Sequence, residues 1–306
     1  IPMNSGNPQS QNCFKPEKQV SIGEQIMPTE MTPELAEICG IHAGDGYLRN
    51  DGRRRELDIS GGMDEQEYYN CHVVPLFEKA FNIKIVPRAF PYRGTYGFVI
   101  RDKTVIEFMH SLGFPYGKKT LTVSVPEAIL QSRNLDVIYS FIRGVFDTDG
   151  CISFRKRGGS GHAKVYLKRH TYPIISLDIC SRNLWSGVCT LLAKTGFQLT
   201  VSYEPPKNNS SQKYTLALRG DANVINWIKN IGFKNTVKFN RFLIWKKFGF
   251  VPPGLTYGDQ NKILNGLKDP NVYYAEKLLE NEGLTPMLVK RRLKVSQNFE
   301  SFIPKD

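Results

Sequence analysis

Cysteine is scarce in this chain, six in 306 residues (Cys13, Cys39, Cys71, Cys151, Cys180 and Cys189), and no two form a CxxC pair. That argues against a structural zinc site and against a disulfide framework, so the thiols read as reduced and mostly buried. No apolar run approaches the roughly 18 residues of a bilayer-spanning helix, and the first thirty residues are polar without a secretory core. The expected setting is intracellular, a prokaryotic cytoplasm or an organelle, with no membrane partner. Acids are also in deficit: 29 Asp and Glu against 41 Lys and Arg leave a formal charge of +12. Such a surplus seeks a polyanion, nucleic acid first. An apolar content of 41% excludes disorder of the whole chain.

Residues 1–30, rich in Asn, Gln, Ser and Pro, carry neither helical nor strand period and read as an extended arm. From Pro33 the pattern changes. Thr32 can cap a helix with Pro33 in its first turn, and Leu35, Ile38, Cys39, His42 and Ala43 recur at helical spacing until Asp45-Gly46 stops it. A hairpin follows, Tyr47–Arg49 and Arg53–Ile59 around Asn50-Asp51-Gly52, and then a helix over about Glu65–Phe81. A second hairpin, Ile83–Arg88 with Thr95–Ile100, precedes a helix over about Asp102–Leu112.

This order recurs. Ile138, Phe141, Ile142, Val145 and Phe146 repeat the helical stripe, and Asp149-Gly150 ends it 104 residues after Asp45-Gly46. Leu57-Asp58-Ile59 returns as Leu177-Asp178-Ile179, offset 120, and Gly113-Phe114 as Gly232-Phe233, offset 119. The difference, 120 − 104 = 16 residues, assigns an insertion to the first hairpin of the second copy. Two repeats over about 33–131 and 135–249 thus divide the chain into an arm (1–30), two halves (31–132 and 133–252) and a basic helical tail (253–306). In the tail, Tyr273–Asn281 and Pro286–Val295 read as two short helices, either a small helix-turn-helix or a basic amphipathic segment packed on the body.

The chemistry concentrates where the two repeated helices end. Gly40 with Gly44, and Gly144 with Thr148, put small side chains four residues apart, which lets two helix backbones approach closely. If the helices pack on each other, Asp45 and Asp149 emerge together where helix C-termini already present partial negative charge. Two such carboxylates are tolerable when they bind a hard cation, and Mg²⁺ takes one or two carboxylates plus waters and phosphate oxygens. With a DNA phosphate present, that is phosphodiester hydrolysis.

These two helices resemble the LAGLIDADG motif of homing endonucleases, over about residues 33–249 in two copies. The resemblance implies an α+β fold of two tandem αββαββα halves with pseudo-twofold symmetry, each with a curved antiparallel sheet, together forming a DNA-binding saddle. It implies one metal-binding acid per motif helix, Asp45 and Asp149, with Mg²⁺ or Mn²⁺ supporting cleavage and Ca²⁺ binding without it. The first copy has Ala43 where an acid often sits, whereas the second keeps Asp147, a position that normally holds no metal. His42, matched by Phe146, reads as a core or interface histidine. The family also places a lysine just before each half's final helix, near the scissile phosphates. Gly-Phe-x4-Lys gives Lys119 and Lys238 those roles, with Lys118 an alternative in the first half.

Basic hairpins supply the DNA surface. Arg155, Lys156, Arg157, Lys164, Lys168 and Arg169 follow one another without an acid, and Arg49, Arg53, Arg54 and Arg55 are the shorter counterpart. Alternate residues of a strand share a face, so such ribbons can offer rows of donors to a major groove. The expected activity is a monomeric, site-specific double-strand endonuclease acting on a long asymmetric site. The resemblance adds cleavage across the minor groove with short 3′ overhangs and residence in a mobile element. The chain shows no N-terminal nucleophile, TxxH block or terminal His-Asn, which favours a free-standing or intron-encoded enzyme over an intein. An intron RNA maturase and a transcription regulator with a LAGLIDADG-like domain are the other readings.

Overall fold

The computed structural model describes residues 27–156, 169–206, 211–283, 285, 287 and 288. Arg157, Lys164 and Lys168, most of the expected N-terminal arm, and all but Met287 and Leu288 of the helix expected over 286–295 lie outside the described residues.

The first motif helix, α1 (Pro33–Asp45), starts as its residues demand: the Thr32 hydroxyl accepts from the Leu35 N–H at 3.2 Å and Pro33 occupies the first turn, where no N–H is needed. Strands β1 (Gly46–Asn50) and β2 (Arg55–Gly62) follow as an antiparallel hairpin. The next helical stretch is composite, a 3₁₀ turn at Met63–Glu65, α2 (Gln66–Tyr68), a π turn at Tyr69–Val73 and α3 (Val74–Phe81). Pro75 explains the widening, because it has no N–H to donate and its ring crowds the carbonyl of Cys71, inside the π turn.

Chain order continues with β3 (Arg88–Phe90), β4 (Thr95–Ile100), α4 (Lys103–Ser111) and α5 (Glu127–Leu130). The strand expected over Ile83–Arg88 does not form as such; pairing with β4 runs only from Arg88 to Phe90. Asn82 turns the chain in the left-handed region at φ 50°, and Pro87 has no donor for a ladder.

The second half comprises α6 (Leu135–Thr148), β5 (Gly150–Lys156), β6 (His170–Ile179), α7 (Arg182–Lys194), β7 (Thr200–Glu204), β8 (Lys213–Arg219), α8 (Asp221–Asn230) and α9 (Thr236–Phe248). Helices α10 (Tyr257–Leu264) and α11 (Pro270–Glu282) begin the tail. The fold is α+β, with two four-strand antiparallel sheets in tandem, ordered β1-β2-β4-β3 and β5-β6-β8-β7.

The sheet registers correct the repeat arithmetic. Gly46 lies opposite Ile59 but Gly150 lies opposite Leu177, so the strand offset is 177 − 59 = 118 rather than 120. The β2–β4 and β6–β8 pairs agree, Ile59 facing Phe98 and Leu177 facing Leu216, again 216 − 98 = 118. Asp58 therefore corresponds to Ser176 and not to Asp178, and the insertion is 118 − 104 = 14 residues. A slip of two keeps every side chain on its own face, which is why the Leu-Asp-Ile match looked sound.

One continuous core joins both halves, and α1 and α6 cross at its centre. A Cβ on Gly40 would stand 2.2 Å from the Phe141 carbonyl oxygen, and one on Gly144 would stand 2.4 Å from that of Glu37. Gly44 faces Thr148, whose hydroxyl would lie 2.1 Å from an added Cβ. The small residues are where the backbones touch. Of the described cysteines only Cys39 is buried; Cys71 and Cys151 are exposed and Cys180 and Cys189 are half-buried, correcting the expectation of mostly buried thiols. All five are free.

Candidate active site

Close packing of α1 against α6 brings Asp45, the last residue of α1, and Asp149, the cap of α6, to one place. The carboxyl carbon of Asp149 lies 3.3 Å from where a Cβ on Gly44, next to Asp45, would sit. Burial, with the neighbouring charges of Glu65 and Asp149, pushes the Asp45 carboxyl up to about 7. Partial desolvation also raises Asp149, which stays open to solvent, against the pull of Lys119 and Lys238. The Tyr69 hydroxyl donates to Asp45 Oδ2 at 2.8 Å and fixes that oxygen.

The two lysines bind helix ends. Lys119 donates from Nζ to the carbonyls of Ala43 and Gly44, both at 2.6 Å, at the C-terminus of α1. Lys238 donates to the carbonyls of Phe146, Asp147 and Thr148, each at 2.7 Å, at the C-terminus of α6. Each ammonium thus satisfies carbonyls that a helix leaves without intrahelical partners, and its charge opposes the helix dipole. Burial lowers the pKa of both, while Asp45 and Asp149 pull them back up. Lys238 sits in the first turn of α9 rather than before it as the family pattern implies, and Lys118 makes no comparable bond among the described contacts.

Glu65 is a third carboxylate at the centre that the sequence reading passed over. A Cβ on Gly61 would lie 2.5 Å from Glu65 Oε2 and 2.7 Å from Asp45 Oδ2, so both oxygens border one small space that only glycine leaves open. Glu65 accepts from the Gly62 N–H at 2.8 Å and from Asn235 Nδ2 at 2.6 Å. Asn235 also donates to the Asp147 carbonyl at 2.8 Å, so it links the first half's Glu65 to the end of α6. The only sequence signal for Asn235 was its place as a possible cap before α9.

His42 is wholly buried, edge-on to Phe114 at 4.4 Å, and burial together with the charge of Lys119 holds it neutral, down at about 3. It is a core histidine. Asp147 is wholly buried too, pushed up to about 7 by burial, with Oδ2 accepting from the Lys234 N–H at 2.9 Å.

The basic residues fare differently from one another. Arg53, Arg54 and Arg55 are exposed at the turn and the start of β2, while Arg49 pairs with Asp51 at 2.6 Å. Arg155 and Lys156 are exposed at the end of β5. Arg169 stacks on Phe250 at 4.4 Å, against the segment that follows α9.

Among the described residues no group of three or more His, Cys, Asp or Glu could hold a metal ion by itself. Two adjoining carboxylates with raised pKa values, one half-buried and one open to solvent, nevertheless suit a hard cation that completes its shell with water and phosphate.

Two paired helices with an acid at each C-terminus thus lie between two tandem antiparallel sheets. The family profile described as LAGLIDADG-like domain matches residues 136–232, in the second half. Among curated proteins the chain is 26% identical over 216 residues to the replication factor C small subunit of Methanocaldococcus jannaschii, covering 70% of this chain and 10% of that protein. It is 26% identical over 211 residues to the tRNA-splicing ligase RtcB of Methanopyrus kandleri, covering 65% of this chain and 20% of that one. The chain therefore spans a tenth to a fifth of these relatives. Among solved structures it is similar to I-DmoI in complex with DNA and Mn, with 16% identity, a TM-score of 0.45, and coverage of 66% of this chain and 98% of that one. No helix among the described residues is long and apolar enough to cross a membrane.

Proposed function

We propose that this protein is a site-specific, metal-dependent DNA endonuclease that cuts both strands of a long asymmetric site and leaves short 3′ overhangs. The observation that carries this reading is the meeting of Asp45, half-buried, and Asp149, open to solvent, at two helix C-termini, both with raised pKa values. A pair of carboxylates so placed costs stability unless a cation offsets it. Asp45 and Asp149 would hold Mg²⁺ or Mn²⁺, which would supply water activation and stabilisation of the leaving oxygen. Tyr69 orients Asp45, and Lys119 and Lys238 hold positive charge beside the phosphates while fixing both helix ends. A formal charge of +12 supplies the attraction to DNA. The two curated relatives have names that describe unrelated activities, and the shared segment is a small part of each. That distribution supports a mobile segment carried by different host genes.

Selection of cleaved duplexes from a randomised DNA library in Mg²⁺ tests the reading. The wild-type chain is expected to enrich one long site. Asp45→Asn and Asp149→Asn should bind that site and leave both strands intact. Cleavage of both strands by Asp149→Asn at the wild-type rate would refute the two-carboxylate mechanism.

A further inference from the structure

The open face of the first sheet carries an arginine that is held unlike any other on that sheet. Arg93, in the turn between β3 and β4, donates from Nη1 to Asp58 Oδ2 at 2.7 Å and from Nη2 to Asp58 Oδ1 at 3.5 Å. Its guanidinium lies over the Phe90 ring, 4.2 Å from the centroid. Register places Asp58 in line with Tyr47 and Val99, and Phe90 in line with Thr95 and Gly62, all on the side of the sheet away from α1. The Asp58 side chain is 16% exposed and that of Arg93 46%, so the acid sits beneath and the base stands out. Ser60 donates to Asp58 Oδ1 at 3.1 Å and fixes the carboxylate in turn.

A carboxylate beside an arginine is a poor arrangement for gripping phosphate, because it repels the anion and offsets the charge that does the gripping. It is a good arrangement for reading a base. Guanine offers O6 and N7 to a planar fork of donors, and discrimination depends on the fork keeping one orientation. Asp58 and the Phe90 face fix that orientation and leave Nε–H and two outer N–H groups of Arg93 to donate. Arg88 shows the contrast: it lies 5.1 Å from the same ring but has no carboxylate partner among the described residues, as suits a phosphate contact.

Building on the proposed action on DNA, we propose that Arg93, buttressed by Asp58 and Phe90, specifies a guanine in the half-site under the first sheet. Among the described residues the second sheet has no twin of this device: at the offset of 118, Asp58 corresponds to Ser176, which carries no charge, so the guanine is required on one side of the site only.

Binding selection from a randomised duplex library, run with the full chain in chelator, tests this. The wild type is expected to enrich a consensus with guanine at one position of one half-site. Arg93→Lys and Arg93→Ala should lower the preference there by roughly tenfold or more and leave the other positions intact. Asp58→Asn should lower it less, and Arg88→Ala should weaken binding to every sequence without changing the consensus. Circular dichroism melts confirm that these variants fold. An unchanged consensus for Arg93→Lys, or a loss of affinity spread evenly over all positions, overturns the assignment while site-specific DNA recognition stands. Failure of the wild type to enrich any sequence overturns both.

Discussion

Glu37 on α1 and Arg143 on α6 form an ion pair buried between the two halves, with Nη2 to Oε2 at 2.5 Å and Nε to Oε1 at 2.9 Å. His72 contacts the same carboxylate at 2.6 Å, and Arg143 also donates to the Ile231 carbonyl at 3.3 Å. The cluster has no pseudo-symmetric copy, since at the helix offset of 104 Glu37 matches Phe141 and Arg143 matches Cys39. It therefore favours α1 packing on α6 over either helix packing on its own kind. Removing one partner strands a buried charge. Arg143→Met should cost about 3–5 kcal/mol by urea unfolding, and the double variant Glu37→Leu/Arg143→Met should recover most of it. Equal stability of the single and wild-type chains would show that the pair contributes nothing.

The same pair sets an acid limit. Burial alone would raise Glu37, but bonds from Arg143 and His72 outweigh it and hold the carboxyl down at about 2 against an ordinary 4.5. A depressed native pKa contributes stability that is whole above about 4.5 and is lost as pH falls towards 2, an effect on the order of 3 kcal/mol. Melting profiles between pH 5 and pH 2 should be visibly flatter for Glu37→Gln than for the wild type. Parallel profiles would contradict this.

Lys238 uses all three of its N–H groups on carbonyls at the end of α6, whereas Lys119 uses two on α1. Lys238→Met should therefore destabilise the chain by roughly 1–3 kcal/mol and Lys119→Met by less. Thermal melts of both variants decide the order, and a larger loss at Lys119 would mean that donor count does not control it.

Tyr69→Phe removes only the hydroxyl that holds Asp45, while Asp149 has no hydroxyl partner among the described residues. The variant should lose about 1 kcal/mol of stability, cut one strand more slowly than the other, and accumulate nicked duplex in a gel time course. Simultaneous slowing of both strands would assign Tyr69 to general packing.

Metal binding should be visible without DNA. Mg²⁺ is expected to raise the melting temperature of the wild type, because a ligand of the native state alone stabilises it, and to leave Asp45→Asn/Asp149→Asn unmoved. An equal rise in both would place the cation elsewhere.

The sequence revealed the helices best, because caps such as Thr32 and stop pairs such as Asp45-Gly46 act locally. Strand register was not legible to that depth: a two-residue slip conserves the alternation of faces, so Leu57-Asp58-Ile59 matched the wrong segment until pairing partners were known. The contacts that organise the site were hidden for another reason. Glu37, Glu65 and Asn235 read as ordinary polar positions of helices and turns, and only the crossing of α1 and α6 gives them buried partners. Lys119 and Lys238 stood out by spacing, but their use as clamps on helix carbonyls depends on tertiary contacts over 76 and 92 residues of chain.

Where α1 meets α6, main chain lies against main chain at Gly40 and Gly144, with no side chain between to swell or shrink. The gap between the two acids is thus set like the throat of a pair of shears, by the pivot and not by the blades. Substitutions on the open faces of the sheets can change what is gripped without altering where the edges meet. For the proposed endonuclease, new target preferences can therefore accumulate one residue at a time while the spacing of the two acids stays the same.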